Sequence, residues 1–381
     1  MGVISFARGV PAPECLPLGE LAECARAAIV RDGATVLSYG DGGGYPPLRE
    51  WIGERHGVDA GRVLVTNGSL QGFIFLARRL LAGGEKRVLV EAPTYDRPLK
   101  LLRELGAEIV GVPVDEEGLD VDAVESLLRS GPRPAFLYVI PTFQNPSGRT
   151  LTVDRRIRLV ELARRHELIV LEDDPYGLVR FEGESPPSLR ELDGGEHVIY
   201  TSSFSKTIAP GVRVGYLIET EADATAALAS TANSTYISPA LLGQATVLEF
   251  LRRGHFEPNL RRVCALLKER RDAMLGALAR EFPEDATWSR PEGGYFVWLD
   301  FPAETNASDL LARAGKAGVT FVRGSDFFAD AAAGRSSARL AFSFVSAAEV
   351  DEGIARLAAL IPAGASRRPV GADAAQVETS S

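Results

Sequence analysis

Four short segments carry residue types that could do chemistry, and each follows an apolar, strand-like run. Lys206 stands in Thr201–Ile208, TSSFSKTI, with Arg213 on the next such run. A lysine among serines and apolar residues can have its pKa lowered and act as an amine nucleophile, although a lone lysine is usually a solvated group. Asp173 and Asp174 end the run in Leu171–Tyr176, LEDDPY. A carboxylate there can pair with a cationic ring nitrogen, or cap the turn before Pro175. Thr66-Asn67-Gly68-Ser69 is a strand end entering a small-residue turn and then a helix. Such a turn exposes backbone N–H groups to an anion, or simply caps the helix at Ser69. Pro141–Gly148, PTFQNPSG, reads in isolation as a turn.

The elements that must position these residues alternate in type. Strand-like runs are Arg62–Thr66, Arg87–Glu91, Ala107–Val112, Pro134–Ile140, Leu168–Glu172, His197–Thr201 and Val212–Ile218. Helical patterns such as Ser69–Leu81, Val121–Leu128 and Val153–His166 lie between them. Buried β-branched runs alternating with helices predict an α/β fold with a mostly parallel, seven-stranded sheet covered by helices. Open sheets of this kind bind ligands at the carboxyl ends of their strands, where the four segments fall. After about Thr220 the rhythm changes to long helices, Ser238–Arg253 and Pro258–Phe282, then strands mixed with helices. That predicts a smaller α+β domain. The expected division is a large domain over 35–235, a small domain over 1–34 and 236–361, and a disordered tail over 362–381.

Composition sets the outer limits. The chain has 381 residues, 45% of them hydrophobic and 24% charged, enough for a sizeable core in a soluble globular protein. Its net charge of −9, with no basic stripe, argues against nucleic-acid and anionic-membrane partners. Cys15, Cys24 and Cys264 are widely spaced, as are the four histidines, which excludes a disulfide scaffold and a zinc cluster. No metal site is expected. The N-terminus lacks a signal-peptide layout and no apolar run is long enough to span a bilayer, so a cytoplasmic protein is expected.

Taken together and in this order, the four segments resemble the fold-type-I pyridoxal-phosphate enzymes, specifically the class I/II aminotransferases. The likeness is greatest to 2-aminoadipate and kynurenine aminotransferases and to the aminotransferase-like half of MocR regulators. It runs from about Val3 to Leu360 and includes SYGDGGGYPPLRE (Ser38–Glu50), EAPTY (Glu91–Tyr95), PEGGYFVW (Pro291–Trp298) and ARLAFSF (Ala338–Phe344). The resemblance implies that Lys206 forms a Schiff base with pyridoxal 5'-phosphate and moves the substrate proton. It implies that Asp173, in the family spacing Asp-x-x-Tyr with Tyr176, keeps the ring nitrogen protonated. Asn145 and Tyr176 are expected at the cofactor's 3′-oxygen and Tyr95 on the ring face. The phosphate falls to the backbone of Gly68, Ser69 and Leu70, with Ser203, Ser205 and Arg213. Tyr39 is expected to reach that phosphate from a neighbouring subunit, which makes the active unit a homodimer. Arg339 is expected to clamp the substrate α-carboxylate, with Asn145 beside it.

The implied function is amino-group exchange between an L-amino acid and a 2-oxo acid by a ping-pong mechanism. Two rivals stand beside it. One is another pyridoxal-phosphate reaction on the same scaffold, such as elimination, cyclisation or oxidation, since the fold does not decide between them. The other is a ligand-sensing regulator domain, which would need a basic winged-helix segment upstream. Departures from the family pattern bear on the substrate. Leu70 stands where relatives often have Gln, Tyr295 replaces Met or Leu, and Arg8 replaces a common Gly near the expected side-chain region. If Arg8 faces the pocket, an anionic or strongly polar donor is favoured. Phe143, Tyr39 and Tyr295 leave an apolar donor open.

Overall fold

A computed structural model describes residues 2–330 and 332–361. The expected tail over 362–381 lies outside the described residues. The strands are β1 (Ile4–Ser5), β2 (Val63–Thr66), β3 (Arg87–Ala92), β4 (Glu108–Asp115), β5 (Gly118–Leu119), β6 (Phe136–Val139) and β7 (Val170–Asp173). They continue with β8 (Val198–Ser203), β9 (Gly215–Ile218), β10 (Thr287–Trp288), β11 (Phe296–Asp300), β12 (Val319–Thr320), β13 (Val322–Arg323) and β14 (Ser337–Ala341).

The large sheet runs in the order β2-β9-β8-β7-β6-β3-β4-β5. Strands β4, β3, β6, β7 and β8 are mutually parallel, whereas β9 is antiparallel to both β2 and β8. This matches the expected architecture, with one addition: the two-residue β5 folds back on β4 and makes the sheet eight-stranded. Successive residues of a strand point to opposite faces. Val88, Val90, Phe136 and Tyr138 therefore enter one core cluster, and Leu89, Leu137 and Val139 the other. Both faces are covered, so these strands read as unbroken apolar runs rather than alternating ones.

The small domain is built on the antiparallel sheet β10-β11-β14-β13. The helices Phe256–Glu281 and Ala347–Ala358 share its core through Met274, Leu278, Ile354 and Leu357. Strand β1 reaches this domain by pairing with β12. The N-terminal helix does not. Leu18–Val36 and the helix Leu241–Arg252, both grouped with the small domain on sequence grounds, instead share one cluster with Val63 and Val65 of the large sheet, in which Cys24, Ala28 and Val36 are buried. That partner helix supplies Leu241, Ala245 and Leu248, an apolar face more than 200 residues distant that no local pattern links to Cys24. Among the described residues no helix is long and apolar enough to cross a membrane.

Candidate active site

A cavity of about 430 Å³ opens over the carboxyl ends of β2, β6, β7 and β8. Its walls include Gly68, Ser69, Leu70, Tyr95, Asn145, Asp173, Tyr176, Ser203, Ser205, Lys206, Arg213 and Arg339. Twelve of the residues singled out from sequence thus meet in one place. Tyr39 and Arg8 do not line it. Tyr39 is 85% exposed, and the exposed Arg8 holds its guanidinium 4.5 Å over the Phe344 ring. Arg8 therefore lends no support to an anionic donor. Tyr295 and Phe143 are buried rather than lining: the Tyr295 hydroxyl donates to the Lys206 carbonyl oxygen at 2.9 Å.

Lys206 follows β8 in a compact turn, and its Nζ donates to the Gly9 carbonyl oxygen at 2.8 Å. Burial, with Arg339 and Arg213 nearby, brings its pKa down to about 8. The amine is thus neutral in a useful fraction near neutral pH. Asp173 is the last residue of β7. Its Oδ2 accepts from the Tyr138 hydroxyl at 2.7 Å, while the buried Oδ1 has no hydrogen-bond partner among the described residues. Burial pushes Asp173 up to about 7, against the lowering effect of the Tyr138 bond. A buried carboxylate oxygen left without a donor is costly, and a cationic N–H at this point would relieve it.

Arg339 on β14 crosses from the small domain. It donates to Asn145 Oδ1 at 2.9 Å and to the Ala7 carbonyl at 3.1 Å, and stacks 4.2 Å over the Phe296 ring. Asn145 is held in turn by a buried frame. Glu91 Oε2 accepts from the Ile140 N–H at 3.0 Å and from Gln144 Nε2 at 3.1 Å. Gln144 also accepts from the Ser147 N–H at 2.8 Å, closing the turn around Asn145. Burial raises Glu91 to about 8, so it is a neutral structural acid at neutral pH.

The remaining wall suits a phosphate. The helix Ser69–Leu81 starts at Gly68 without a side-chain cap, leaving its first-turn N–H groups for an anion. Gly68 has φ +88°, and a Cβ there would stand 2.5 Å from Arg213 Nη2. Only glycine lets that guanidinium lie against the turn. Ser203 donates to Ser205 Oγ at 2.8 Å, and Arg213 donates to the Asn67 carbonyl at 2.6 Å. An amine, an orphaned carboxylate oxygen and an anion cradle fit pyridoxal phosphate. Among the described residues no group of three or more His, Cys, Asp or Glu could hold a metal ion. Sequence reasoning missed Tyr138, Glu91 as the support of Asn145, and Asp96 and Arg97 at the cavity wall. The period-two alternation of β6 could have set Tyr138 on one face, but not opposite Asp173.

The chain is similar to known proteins over nearly its whole length. The family model for aminotransferase class I and II matches residues 13–357. The chain is 38% identical over 359 residues to a 2-aminoadipate transaminase of Thermus thermophilus, covering 93% of this chain and 89% of the relative. It is 36% identical over 369 residues to aromatic-amino-acid aminotransferase 1 of Thermococcus litoralis, covering 94% and 88%. It is also similar to the solved alpha-aminoadipate aminotransferase of Thermus thermophilus in complex with N-(5'-phosphopyridoxyl)-L-leucine. The TM-score there is 0.89 at 38% identity, covering 94% of this chain and 92% of that one. On the family match and these likenesses, the chain belongs to the class I and II aminotransferases.

Proposed function

We propose that the protein moves an amino group between an L-amino acid and a 2-oxo acid, with pyridoxal 5'-phosphate as cofactor and two half-reactions in a ping-pong cycle. The observation that carries the reading is the convergence of Lys206, Asp173 and Arg339 on one cavity. When bound, pyridoxal phosphate supplies the electron sink that makes the substrate Cα–H acidic. Asp173 Oδ1 would hold a proton on the ring nitrogen. The N–H groups of Gly68, Ser69 and Leu70, with Ser203, Ser205 and Arg213, would hold the phosphate. Tyr95 would cover the ring face, and Asn145 and Tyr176 would bond its 3′-oxygen. Arg339 orients the substrate by its α-carboxylate, two parallel N–H donors fixing the plane. Lys206 Nζ is the covalent anchor and moves the proton at Cα, its depressed pKa suiting a general base. The test is to mix the holoprotein with an L-amino acid alone. One equivalent of 2-oxo acid per site should appear, then nothing until a 2-oxo acid is added; continuous product or released ammonia would rule out transamination.

The same reading makes the active unit a homodimer, with Tyr39 of the partner subunit at the phosphate. Its support is that Tyr39 is 85% exposed, while Leu37 and Ile237 are 64% and 65% exposed. The Gly40 N–H donates to Ser238 Oγ at 2.7 Å, which ties together the two segments that carry these exposed apolar residues. Mixed dimers of Tyr39→Phe and Lys206→Ala subunits should regain activity in one of their two sites; no recovery would place Tyr39 within its own chain. A cytoplasmic location belongs to this proposal, supported by the three unpaired cysteines.

A further inference from the structure

The charged groups on the cavity wall are not all used by the chemistry above. Lys206, Arg213 and Arg339 have roles in that reading, and Asp173 would pair with the ring nitrogen. Asp96 and Arg97 line the same cavity and have none. They open the helix Asp96–Glu104 directly after Tyr95.

Asp96 is already engaged. Lys100 Nζ lies 2.9 Å from its Oδ2, and Arg97 Nε lies 3.7 Å from the same oxygen. Two cations against one carboxylate leave this corner with a net positive charge, to which the helix N-terminus adds. The Arg97 side chain is 61% exposed, so its guanidinium is not locked in this ion pair. Burial, with Asp96 and Asp173 nearby, pushes the Tyr95 hydroxyl up to about 12 even with Arg97 and Arg339 opposing it. Tyr95 and the two guanidiniums of Arg97 and Arg339 line one cavity. Arg8, the other candidate for a cation here, is taken up by Phe344.

We infer that Arg97 is a specificity-determining residue: it pairs with the distal carboxylate of a dicarboxylic amino acid or 2-oxo acid whose α-carboxylate is held by Arg339. The inference rests on the aminotransferase reading above. Its contribution is that of a partly solvated charge pair, weaker than a buried clamp.

The test compares L-glutamate with L-glutamine, which differ by one charge at the far end, and includes L-leucine as an apolar donor. In Arg97→Gln the ratio of kcat/KM for glutamate over glutamine should fall by about two- to fivefold, mostly through KM. Arg97→Lys, which restores the charge, should recover most of the ratio, and added salt should shrink it in the wild type. An equal loss for both donors, or no loss, overturns the inference. A wild type that turns over glutamine or leucine but not glutamate overturns it too, while leaving transamination intact. A protein inert toward every donor overturns both.

Discussion

Tyr138→Phe isolates the one hydrogen bond that Asp173 receives. The hydroxyl donates to Oδ2 at 2.7 Å, and both residues are buried. The substituted ring keeps its edge-on contact with Phe73, at 5.1 Å between centroids. What is lost is a charge-assisted bond worth about 1.5–3 kcal/mol. At about 1.4 kcal/mol per pH unit, Asp173 should then titrate about one to two units above its present value near 7. The assay is equilibrium binding of pyridoxal phosphate to the unliganded protein from about pH 6 to about pH 9.5. Binding a protonated ring nitrogen requires the Asp173 carboxylate, so affinity should fall below the pKa of that group. At pH 7 the variant should bind about five- to fiftyfold more weakly than the wild type. Above about pH 9 the two should converge, because the ionised carboxylate lacks the bond in both free and bound states. Lys206 titrates alike in both proteins and drops out of the ratio. An affinity ratio that stays constant across the range would refute the assignment of Tyr138 to the ionisation of Asp173.

Arg339→Lys should weaken amino-acid binding by about 1.5–3 kcal/mol, roughly ten- to hundredfold, and leave cofactor affinity near that of the wild type. An ammonium cannot bond Asn145 and a carboxylate in one plane as the guanidinium fork does; titration of the donor into the holoprotein checks this. Glu91→Gln should change stability in a pH-dependent way. Glu91 keeps its proton to about 8 when folded, against an ordinary value of 4.5. Wild-type stability from this group is therefore present below about pH 4.5 and lost as pH rises through about 8. The amide cannot titrate and can still accept from Ile140 and Gln144. Its Tm should gain on that of the wild type between about pH 6 and pH 9. A gap that narrows over that range contradicts the assignment.

The site was legible in the sequence where its parts are local. Asp173, Ser203 and Lys206 each sit at or just past a strand end, and the strand pattern alone brings such ends to one rim of the sheet. Gly68 announced itself through a turn that needs positive φ. What was not legible depends on distant partners. Arg8 and Arg97 are both arginines beside site motifs. Which one lines the cavity is decided by Phe344 and by the start of the helix after Tyr95, hundreds of residues apart. Part of the glycine-rich phrase Ser38–Glu50 is not loop. Its Pro46 and Pro47 start the helix Pro46–His56. Tyr45 is buried there, its N–H donating to Gln244 Oε1 at 2.7 Å. A tyrosine between glycine and proline carries no sign of a partner 199 positions away.

The central claim is that Lys206 is the amine that anchors pyridoxal phosphate at this cavity. Borohydride reduction of the holoprotein, followed by proteolysis and mass spectrometry, tests it directly. The account predicts the pyridoxyl group on the peptide containing Ser203–Thr207, attached to Lys206, and its absence from Lys206→Ala. A pyridoxyl group on any other lysine, or equal labelling of the variant, would contradict it.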